Sequence, residues 1–319
     1  MSIEDDYVPV FGNRILVTGG AGFIGSNIVD ALVPDNDVRV LDDLSGGSRS
    51  NVPDEATFFE GDIRNDDDLE RATDGVDIVF HQAALVDVDE SMRRPETTHD
   101  INLNGTVKVL EHARRESARV VFASSAAVYG HPTSVPIAED SPTDPLSPYG
   151  LSKLAAEQYV RLYGELYDLS TVSLRYFNVY GPGQLGGDYS AVISTFVEQA
   201  MNGAPITVEG DGAQTRDFVH IDDIVRANVL AAGSEASGAF NVGTGESVSI
   251  LELAEIVRDA ADSESEIVHT DARSGDIDRS RADISALESR LGYEPTVSLA
   301  TGLERVVESR SETPLPEDR

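Results

Sequence analysis

Tyr149 and Lys153 stand four residues apart in the segment SPYGLSKLAAE, so both would lie on one face of a predicted helix. The ordinary pKa of a tyrosine hydroxyl is about 10, and bringing it near 7 requires about 4 kcal/mol. One cation about 4 Å away supplies an interaction of that size at an effective dielectric constant of about 20. The pair predicts a tyrosine that exchanges a proton with a substrate; the alternative is an exposed helix with an incidental tyrosine and lysine.

A glycine-rich segment, TGGAGFIGS, directly follows the apolar run RILV. Gly19, Gly22 and Gly25 would lie between a strand and an amphipathic helix, where a phosphate can bind backbone N–H groups and the positive end of the helix dipole. A Cβ on the early glycines would block the turn or the phosphate, and a Cβ on Gly25 would push the helix away from the strand. The alternative is a glycine-rich turn that binds no ligand.

Acidic residues follow the next two predicted strands. Asp42 and Asp43 end the run VRVLDD, about 20 residues beyond the glycines. A carboxylate there accepts hydrogen bonds from ribose hydroxyls and repels a 2′-phosphate, which favours NAD over NADP. Asp62 and Ile63 follow the third strand as predicted neighbours of the adenine, although GDIRNDDD could equally be a solvated loop and helix cap.

Short apolar runs alternate with segments of helical spacing over the first 175 or so residues. The runs predicted as strands are RILVTG, VRVLDD, ATFFEGDI, VDIVFHQA, RVVFASSA and STVSLRYFN. Predicted helices lie at 24–33, 66–73, 100–116 and 149–168. This alternation predicts an α/β fold of the Rossmann type, a doubly wound parallel sheet with a smaller C-terminal domain.

The charge balance excludes some partners. The 319 residues contain 24 Lys+Arg and 57 Asp+Glu, a formal net charge of −33, so the surface would repel nucleic acid and anionic membranes. Lys108 and Lys153 are the only lysines, which favours a chemical reason for placing one beside Tyr149. We predict a halophilic protein of a salt-rich cytoplasm; ordinary acidity for solubility would explain the sign of the charge but not the scarcity of lysine.

Other residue types and segments narrow the function further. The chain has no Cys, which excludes disulfides and thiolate chemistry, and its six His have no metal-ligand spacing. We therefore expect no metal site. There is no apolar run of about 18 residues and no basic, apolar leader at the N-terminus, so a cytoplasmic location without a membrane partner is expected.

Taken together, the motifs resemble the extended short-chain dehydrogenase/reductase superfamily, in its branch of nucleotide-sugar epimerases and dehydratases. They run from Gly19 to about Tyr293 and are TGGAGFIGS, DDLSGG, GDIRN, HQAAL, NLNGT, FASSAAVYG, YGLSK, RYFNVYGPGQ, TRDFVHIDDI, NVGTG and ARSGD. The resemblance implies an NAD-binding Rossmann domain over 1–177, with 216–243 returning to it. It also implies a domain that binds a nucleotide sugar over 178–215 and 244–308. The charged and polar composition of the remaining segment, SRSETPLPEDR, predicts a frayed tail over 309–319.

The resemblance also implies roles for individual residues. Tyr149 would be the catalytic base and acid, Lys153 would lower its pKa and hold the nicotinamide ribose, and Ser125 would bind the sugar hydroxyl. Counting back from VYG favours Ser125 over Ser124. The implied NAD contacts are Gly19, Gly22, Phe23, Ile24, Gly25, Asp42, Asp43, Asp62, Ile63, Ala83, Ala84, Leu85, Asn102, Tyr149, Lys153 and Phe177.

The implied contacts to the nucleotide sugar are Ser125, Tyr149, Asn178, Arg216, Arg273, Asp276 and Ser280. The two arginines would clamp the diphosphate, because guanidinium groups present a planar fork of donors to phosphate oxygens. The alternative for each arginine is a surface ion pair with one of the many carboxylates. In the family a small residue at the position of Ser280 admits N-acetyl groups and a bulky tyrosine excludes them.

The implied reaction is C4 epimerisation of a UDP-hexose. Dehydratases of this branch carry an Asp-Glu pair directly after the catalytic Ser or Thr, where this chain has Ala126 and Ala127. The chain most resembles UDP-glucose and UDP-N-acetylglucosamine 4-epimerases, in which a 4-keto sugar forms and is reduced on its other face, with NAD regenerated. The alternatives are a UDP-glucuronate epimerase, another nucleotide-sugar reductase or dehydratase, and a non-catalytic sensor. A homodimer would form through helices 100–116 and 149–168.

Overall fold

A computed structural model describes residues 10–184, 191–272 and 275–312. In this part of the chain the strands are β1 (Arg14–Thr18), β2 (Asp37–Asp42), β3 (Thr57–Glu60), β4 (Ile78–His81), β5 (Arg119–Ser125), β6 (Thr171–Tyr176), β7 (Asn178–Tyr180), β8 (Ile206–Glu209), β9 (Thr215–Arg216), β10 (Phe218–His220), β11 (Gly238–Val242), β12 (Val248–Ser249) and β13 (Ile267–Thr270). The six predicted strands correspond to β1 through β6.

The α-helices of the same residues are α1 (Phe23–Leu32), α2 (Asp66–Thr73), α3 (Val88–Arg93), α4 (Pro95–His99), α5 (Thr106–Glu116), α6 (Pro148–Tyr167), α7 (Ala191–Met201), α8 (Ile221–Ala232), α9 (Ile250–Ala260), α10 (Ser285–Leu291) and α11 (Leu299–Glu312). None of these helices combines the length and apolar character that a membrane span requires. The predicted helices 24–33, 66–73 and 149–168 correspond to α1, α2 and α6 within one residue at each end, and α5 covers the later part of the predicted 100–116.

The central sheet has seven parallel strands in the order β11-β6-β5-β4-β1-β2-β3. The strand order reverses between β1 and β4, and in open α/β sheets ligands bind beyond the carboxyl ends of the strands at such a point. The predicted Rossmann-type sheet is confirmed. Its seventh strand, β11, was not among the predicted strands; it pairs with β6 through contacts such as Phe240 with Leu174.

Helices cover both faces of this sheet, as the apolar strands require. In β1, Ile15 and Val17 belong to one core cluster together with residues of α1 and α8, whereas Leu16 belongs to the other cluster together with residues of α2, α5 and α6. This alternation follows from the two-residue period of a strand. The carboxyl ends of β1 and β4 are thereby supported by helices on both faces of the sheet.

The predicted helix over 100–116 is not regular. Asp100–Gly105 forms a π-helix that continues directly into α5. Gly105 fits there because a Cβ would lie 2.6 Å from Cδ1 of Ile63. Single π-helical turns within helices often occur at functional sites, and Asn102, one of the predicted site residues, lies in this one.

A third core cluster lies in the C-terminal part of the chain. Helices α7, α9 and α11 pack around residues that include Tyr180, Phe196, Leu253 and Leu303. The small strand pairs here are β7 with β10, β8 with β13 and β9 with β12. Helix α11 continues to Glu312, so the prediction of a frayed tail is wrong for 309–312. Leu303 and Val306 are buried in this cluster and anchor the helix; 313–319 lie outside the described residues.

Candidate active site

The glycine loop after β1 combines two packing glycines with an open helix terminus. Gly19 has φ +70°, and a Cβ there would lie 2.6 Å from the Ala83 nitrogen, while a Cβ on Gly25 would lie 2.1 Å from the Gly19 oxygen. For Gly22 the nearest atom would be the Gly19 oxygen at 3.3 Å. Gly22 is the N-cap residue of α1 and provides no side-chain cap, and the first turn, which begins Phe23-Ile24, has no acidic residue. This terminus can therefore accept an anion.

Asp42 holds the glycine loop through hydrogen bonds to backbone nitrogens. Its Oδ2 accepts a hydrogen bond from the Ala21 nitrogen at 2.9 Å and its Oδ1 accepts one from the Leu44 nitrogen at 2.8 Å. Burial raises the pKa of Asp42. Asp43 is exposed and accepts hydrogen bonds from Ser45. The sequence predicts Asp42 only as a ribose acceptor; the structure shows that the same carboxylate also holds the loop in place.

Asp62 and Ile63 follow β3 and differ in exposure. Arg64 donates to Asp62 through NH2 at 2.5 Å, which lowers the pKa of Asp62. Arg64 also bonds Asp100 at 2.9 Å, so Asp62 faces the start of the π-helix. Ile63 is buried and packs against Gly105.

Tyr149 and Lys153 lie in the first two turns of α6. Ser147 caps this helix by accepting a hydrogen bond from the Gly150 nitrogen at 3.1 Å, and the Tyr149 nitrogen donates to Ser91 Oγ at 3.2 Å. Lys153 is 3% exposed, and its Nζ donates to the Ala123 oxygen at 2.9 Å. Burial lowers the pKa of Lys153 to about 7. The helix thus holds a buried amine one turn from the tyrosine, bonded to β5 near its carboxyl end.

Lys153 should make stability depend on pH. Burial brings its pKa to about 7 in the folded protein, whereas the unfolded side chain has a pKa of about 10.4, so the unfolded chain binds more protons between these values. In nucleotide-free protein, the unfolding free energy should therefore gain up to about 1.4 kcal/mol per pH unit from this residue as pH rises from about 7 to 10. Denaturant titrations of wild type and Lys153→Met measure this gain. The unfolding free energy of wild type minus that of the variant should become more positive as pH rises.

Lys108→Met is the matched control, because Lys108 is the chain's other lysine and is 36% exposed. Its difference from wild type should stay nearly flat over the same pH range. A pH-independent difference for Lys153→Met would contradict the prediction.

The two serines of FASSAAVYG have different surroundings. Ser124 is 2% exposed and donates to Oε2 of Glu157 at 2.6 Å. Ser125 ends β5, is half-buried, and its Oγ accepts a hydrogen bond from the Ala127 nitrogen at 3.1 Å. Neighbouring residues of a strand point to opposite faces, so only one of the two serines can face a ligand bound at the carboxyl end of β5.

A buried ion pair lies one turn beyond Lys153 on α6 and was not anticipated from the sequence. NH2 of Arg175 donates to Oε1 of Glu157 at 2.6 Å, and the two side chains are 7% and 5% exposed. NH1 of Arg175 also donates to the Tyr129 hydroxyl at 2.7 Å. Through Ser124, this pair connects α6 to the end of β5.

Asn102 joins the segment after β4 to helix α6. Its Oδ1 accepts from the Leu85 nitrogen at 2.7 Å, and its Nδ2 donates to the Leu85 oxygen at 2.9 Å and to Ser152 Oγ at 3.0 Å. The Ser152 hydroxyl in turn donates to the Tyr149 oxygen at 2.8 Å. Asn102 therefore braces the half-buried segment that contains Ala83, Ala84 and Leu85.

His81 completes this brace and is a residue that the sequence reasoning missed. The Thr106 hydroxyl donates to the Asn102 oxygen at 2.7 Å, so it accepts from Nε2–H of His81 at 2.8 Å. Nδ1 of His81 must then accept from the Thr18 hydroxyl at 2.7 Å. Burial, followed by the charge of Lys153, lowers the pKa of His81 to about 3, so the ring is neutral. A polar residue at the end of the apolar strand VDIVFHQA was the available signal.

The predicted substrate residues of the C-terminal part lie around β9. Arg216 forms an ion pair with Asp276, and its NH1 donates to the Ile277 oxygen at 2.5 Å. Ser280 is buried, and its nitrogen donates to the Thr215 oxygen at 3.0 Å. These contacts bring three of the predicted residues together.

Phe177 and Asn178 connect this region to the central sheet. The buried Phe177 donates its N–H to the Val242 oxygen at 2.9 Å, and the half-buried Asn178 donates its N–H to the Asp217 oxygen at 3.0 Å. Arg273 lies outside the described residues. Among the residues that are described, no three His, Asp or Glu side chains are grouped so as to hold a metal ion.

Known proteins share this arrangement over almost the whole chain. A model of the NAD dependent epimerase/dehydratase family matches residues 15–243. A putative UDP-glucose 4-epimerase of Methanocaldococcus jannaschii is 42% identical over 298 residues, which cover 92% of this chain and 97% of the relative.

Two solved structures are similarly close. The UDP-N-acetylglucosamine 4-epimerase of Methanobrevibacter ruminantium, in complex with UDP-N-acetylmuramic acid, has a TM-score of 0.91 and 37% identity, covering 95% of this chain and 99% of its own. The UDP-glucose 4-epimerase of Thermus thermophilus in complex with NAD has a TM-score of 0.88 and 38% identity, covering 94% and 99%. The family match extends over more than half of the sequence and includes the glycine loop, Tyr149 and Lys153, and the chain therefore belongs to the NAD dependent epimerase/dehydratase family.

Proposed function

We propose that this protein catalyses the C4 epimerisation of a UDP-hexose, with NAD as a bound cofactor and a 4-keto sugar as the transient intermediate. The observation that carries the proposal is that Lys153, one helical turn from Tyr149 on α6, is buried and donates to the Ala123 oxygen of β5, the strand that ends at Ser125. Similarity to proteins named 4-epimerases supports the same reaction and substrate class.

The glycine loop fits a dinucleotide. Gly19 and Gly25 let the loop pack closely, and the terminus of α1 beyond Gly22 offers backbone donors to a pyrophosphate. Asp43 would accept from the adenosine ribose, and Asp42 would do so with the lone pairs that it does not use for the loop. When bound, NAD supplies the acceptor and donor of a hydride at the sugar carbon.

Tyr149 would move the proton. Its phenolate takes the proton from the 4-hydroxyl of the sugar and returns it after the keto sugar has turned its other face. Lys153 favours the phenolate as a nearby cation, and the Ser125 hydroxyl holds the sugar oxygen in line. The half-buried Ala126 and Ala127 carry no acid that could expel water, which favours epimerisation over dehydration.

Arg216 would bind the diphosphate, with Arg273 as its proposed partner. The Nη2 atom of Arg216 is paired with Asp276, which holds the guanidinium group in place. A phosphate would therefore compete with Asp276 for this guanidinium. We propose that 178–215 and 244–308 bind the nucleotide sugar and that 1–177 with 216–243 bind NAD. The pairing of β11 with β6 supports this division.

A homodimer through helices 100–116 and 149–168 remains our proposal for the assembly. Leu151, Leu166 and Tyr167 are more than half exposed on α6, which suits a contact between two copies. Sedimentation of the purified protein measures the assembly directly.

Substrate choice should depend on Ser280. Ser280 is small and buried, and if it lines the sugar pocket, a phenol ring in its place would occupy the space of an N-acetyl group. Ser280→Tyr should therefore reduce activity on UDP-N-acetylglucosamine by about tenfold or more and largely spare UDP-glucose. Arg279→Tyr is the control, because its exposed neighbour position should affect neither sugar. Equal loss of both activities in Ser280→Tyr would refute the gate.

The acidic surface should make stability depend on salt. With a net charge of −33, counter-ions screen the repulsion between carboxylates, so the unfolding midpoint should rise between low and molar KCl. Thermal unfolding over a KCl series measures this, with a potassium-free osmolyte such as sucrose as the control. A midpoint that stays constant in KCl would contradict a halophilic protein.

The reaction is tested by NMR on purified protein in high KCl, with UDP-glucose and UDP-N-acetylglucosamine in separate samples and no added cofactor. Conversion to the C4 epimers supports the proposal and retention of NAD. In a separate sample with added NADH, net loss of absorbance at 340 nm would instead indicate a reductase. If neither sugar is converted but NAD is released on denaturation, the substrate would instead be a uronic-acid sugar, or the protein would be a non-catalytic sensor.

A further inference from the structure

Asp217 is a fully buried carboxylate with donors on both oxygens. Its Oδ1 accepts from the nitrogen and the hydroxyl of Thr244, each at 2.8 Å. Its Oδ2 accepts from the nitrogens of Gly245 and Ala282, each at 3.1 Å. Such a carboxylate is held by four donors from two distant segments of the chain, and it has no exposed surface of its own.

These donors belong to two segments, one that contains Ser280, a predicted sugar contact, and one that is the turn after β11. Ala282 lies two residues beyond Ser280, and Thr244 and Gly245 form the turn after β11. A Cβ on Gly243 would lie 2.8 Å from Oδ2 of Asp217, so only glycine lets this turn approach the carboxylate. Asp217 is therefore the point at which the turn and the Ser280 segment meet.

The backbone of Asp217 extends the same connection to the other proposed contacts. Its oxygen accepts from the Asn178 nitrogen at 3.0 Å, and the residue directly before it is Arg216. The Thr215 oxygen accepts from the Ser280 nitrogen at 3.0 Å. Asp217 thus contacts Asn178 directly, follows Arg216 in the chain and reaches the Ser280 segment through Ala282, while Thr215 bonds Ser280 itself.

We propose that Asp217 is a positioning residue of the nucleotide-sugar site, whose carboxylate sets the spacing between the strand that carries Arg216 and the segment that carries Ser280. The inference rests on the proposed function for the roles of Arg216 and Ser280. Asp217 itself touches no substrate; it acts by holding the group that binds phosphate at a constant distance from the residue that lines the sugar pocket.

Asp217→Asn tests this with little change in volume. The amide oxygen can keep the two bonds from Thr244, but the amide nitrogen then faces the N–H groups of Gly245 and Ala282, which are also donors. The variant therefore loses the bonds from Gly245 and Ala282, which weakens the hold on the Ser280 segment, and it leaves the Thr244 contact in place. A donor opposed to buried donors costs free energy, so part of any effect will be lost stability.

Asp223 provides the matched control. It is also fully buried, and its Oδ1 accepts from the nitrogen and hydroxyl of Thr296, each at 2.8 Å, while its Oδ2 accepts from the Val297 nitrogen at 3.2 Å. This arrangement repeats that of Asp217, but it anchors the segment before α11 and none of the proposed substrate residues. Asp223→Asn should therefore lower thermal stability without affecting substrate binding.

The measurements are KM and kcat for UDP-glucose, the dissociation constant for UDP by calorimetry, the NAD content and the unfolding midpoint, at a temperature where both variants are folded. For Asp217→Asn we expect KM and the UDP dissociation constant to rise about tenfold, kcat to change less than threefold and the NAD content to stay at the wild-type value. For Asp223→Asn we expect KM and UDP binding within twofold of wild type.

Thr244→Val separates the two sides of the carboxylate. It removes the hydroxyl donor to Oδ1 but leaves the bond from Ala282 to Oδ2, so KM should stay within twofold of wild type. A tenfold rise in this variant would show that the turn, and not the Ser280 segment, carries the effect, and it would overturn the proposal.

Two further outcomes would overturn it: unchanged KM and UDP affinity in Asp217→Asn, or an equal rise in Asp223→Asn, which would indicate a general loss of stability. Failure of the proposed function is distinguishable. A wild type that binds UDP but epimerises neither sugar would refute the activity, while weaker UDP binding in Asp217→Asn alone would still support the positioning role.

Discussion

Replacing Tyr149 by phenylalanine is expected to lower kcat for UDP-glucose epimerisation by about 10²- to 10⁴-fold, the range typical of a lost general base. The substitution keeps the backbone bond from the nitrogen of residue 149 to Ser91 Oγ, which holds this position in the first turn of α6. Unfolding midpoint, NAD content and KM should therefore change little. Steady-state kinetics with an NMR readout of the C4 epimer measure the loss.

Tyr159→Phe is the control on the same helix, because Tyr159 is 42% exposed and is not one of the proposed site residues. Its kcat should remain within about twofold of wild type, as expected for a surface change. If Tyr149→Phe kept more than a tenth of the wild-type kcat, another residue would have to move the proton.

Replacing Glu157 by glutamine is expected to lower the unfolding free energy by about 3–5 kcal/mol. The change leaves the guanidinium of Arg175 buried without its carboxylate, and it weakens the hydrogen bond from Ser124. Chemical denaturation of the purified variant measures the loss. Because the pair joins α6 to the end of β5, kcat should fall as well, through displacement of the residues that flank Ser124.

Glu165→Gln is the matched control, since Glu165 lies on the same helix, pairs with Arg161 and is 54% exposed. Exposed pairs contribute about 0–1 kcal/mol, so this variant should be nearly as stable as wild type. Adding Arg175→Met to Glu157→Gln should recover part of the stability, because the unpaired buried charge is then removed. A loss below about 1 kcal/mol in Glu157→Gln would contradict the prediction.

Much of the fold was predictable because its signals are local. Six of the seven strands of the central sheet were visible as apolar runs, and the alternation of strands with helices determined the parallel, doubly wound arrangement. The strand Gly238–Val242 was missed because GAFNV is short and begins with glycine, and its strand conformation depends on pairing with β6. The π-helix at Asp100–Gly105 was missed for a similar reason, since its sequence has ordinary helical spacing.

The prediction of a frayed tail failed at 309–312, where charged and polar residues suggested no core. Leu303 and Val306 bury one face of α11 in the C-terminal cluster, and that packing extends the helix to Glu312. The composition of 309–312 reflects exposed positions of α11, whereas the buried residues earlier in the helix determine that it forms.

The sequence by itself determined which residues can do chemistry: the glycine spacing and the Tyr149–Lys153 pair depend on neighbours within a turn or two, so local geometry is sufficient to read them. Only the tertiary structure decided how these residues are supported. Thr18 meets His81 across 63 positions, and Asp217 meets Ala282 across 65. Hydrogen bonds of this kind depend on where distant segments come together, and burial, which lowers the pKa of Lys153 to about 7, exists only once the chain has folded.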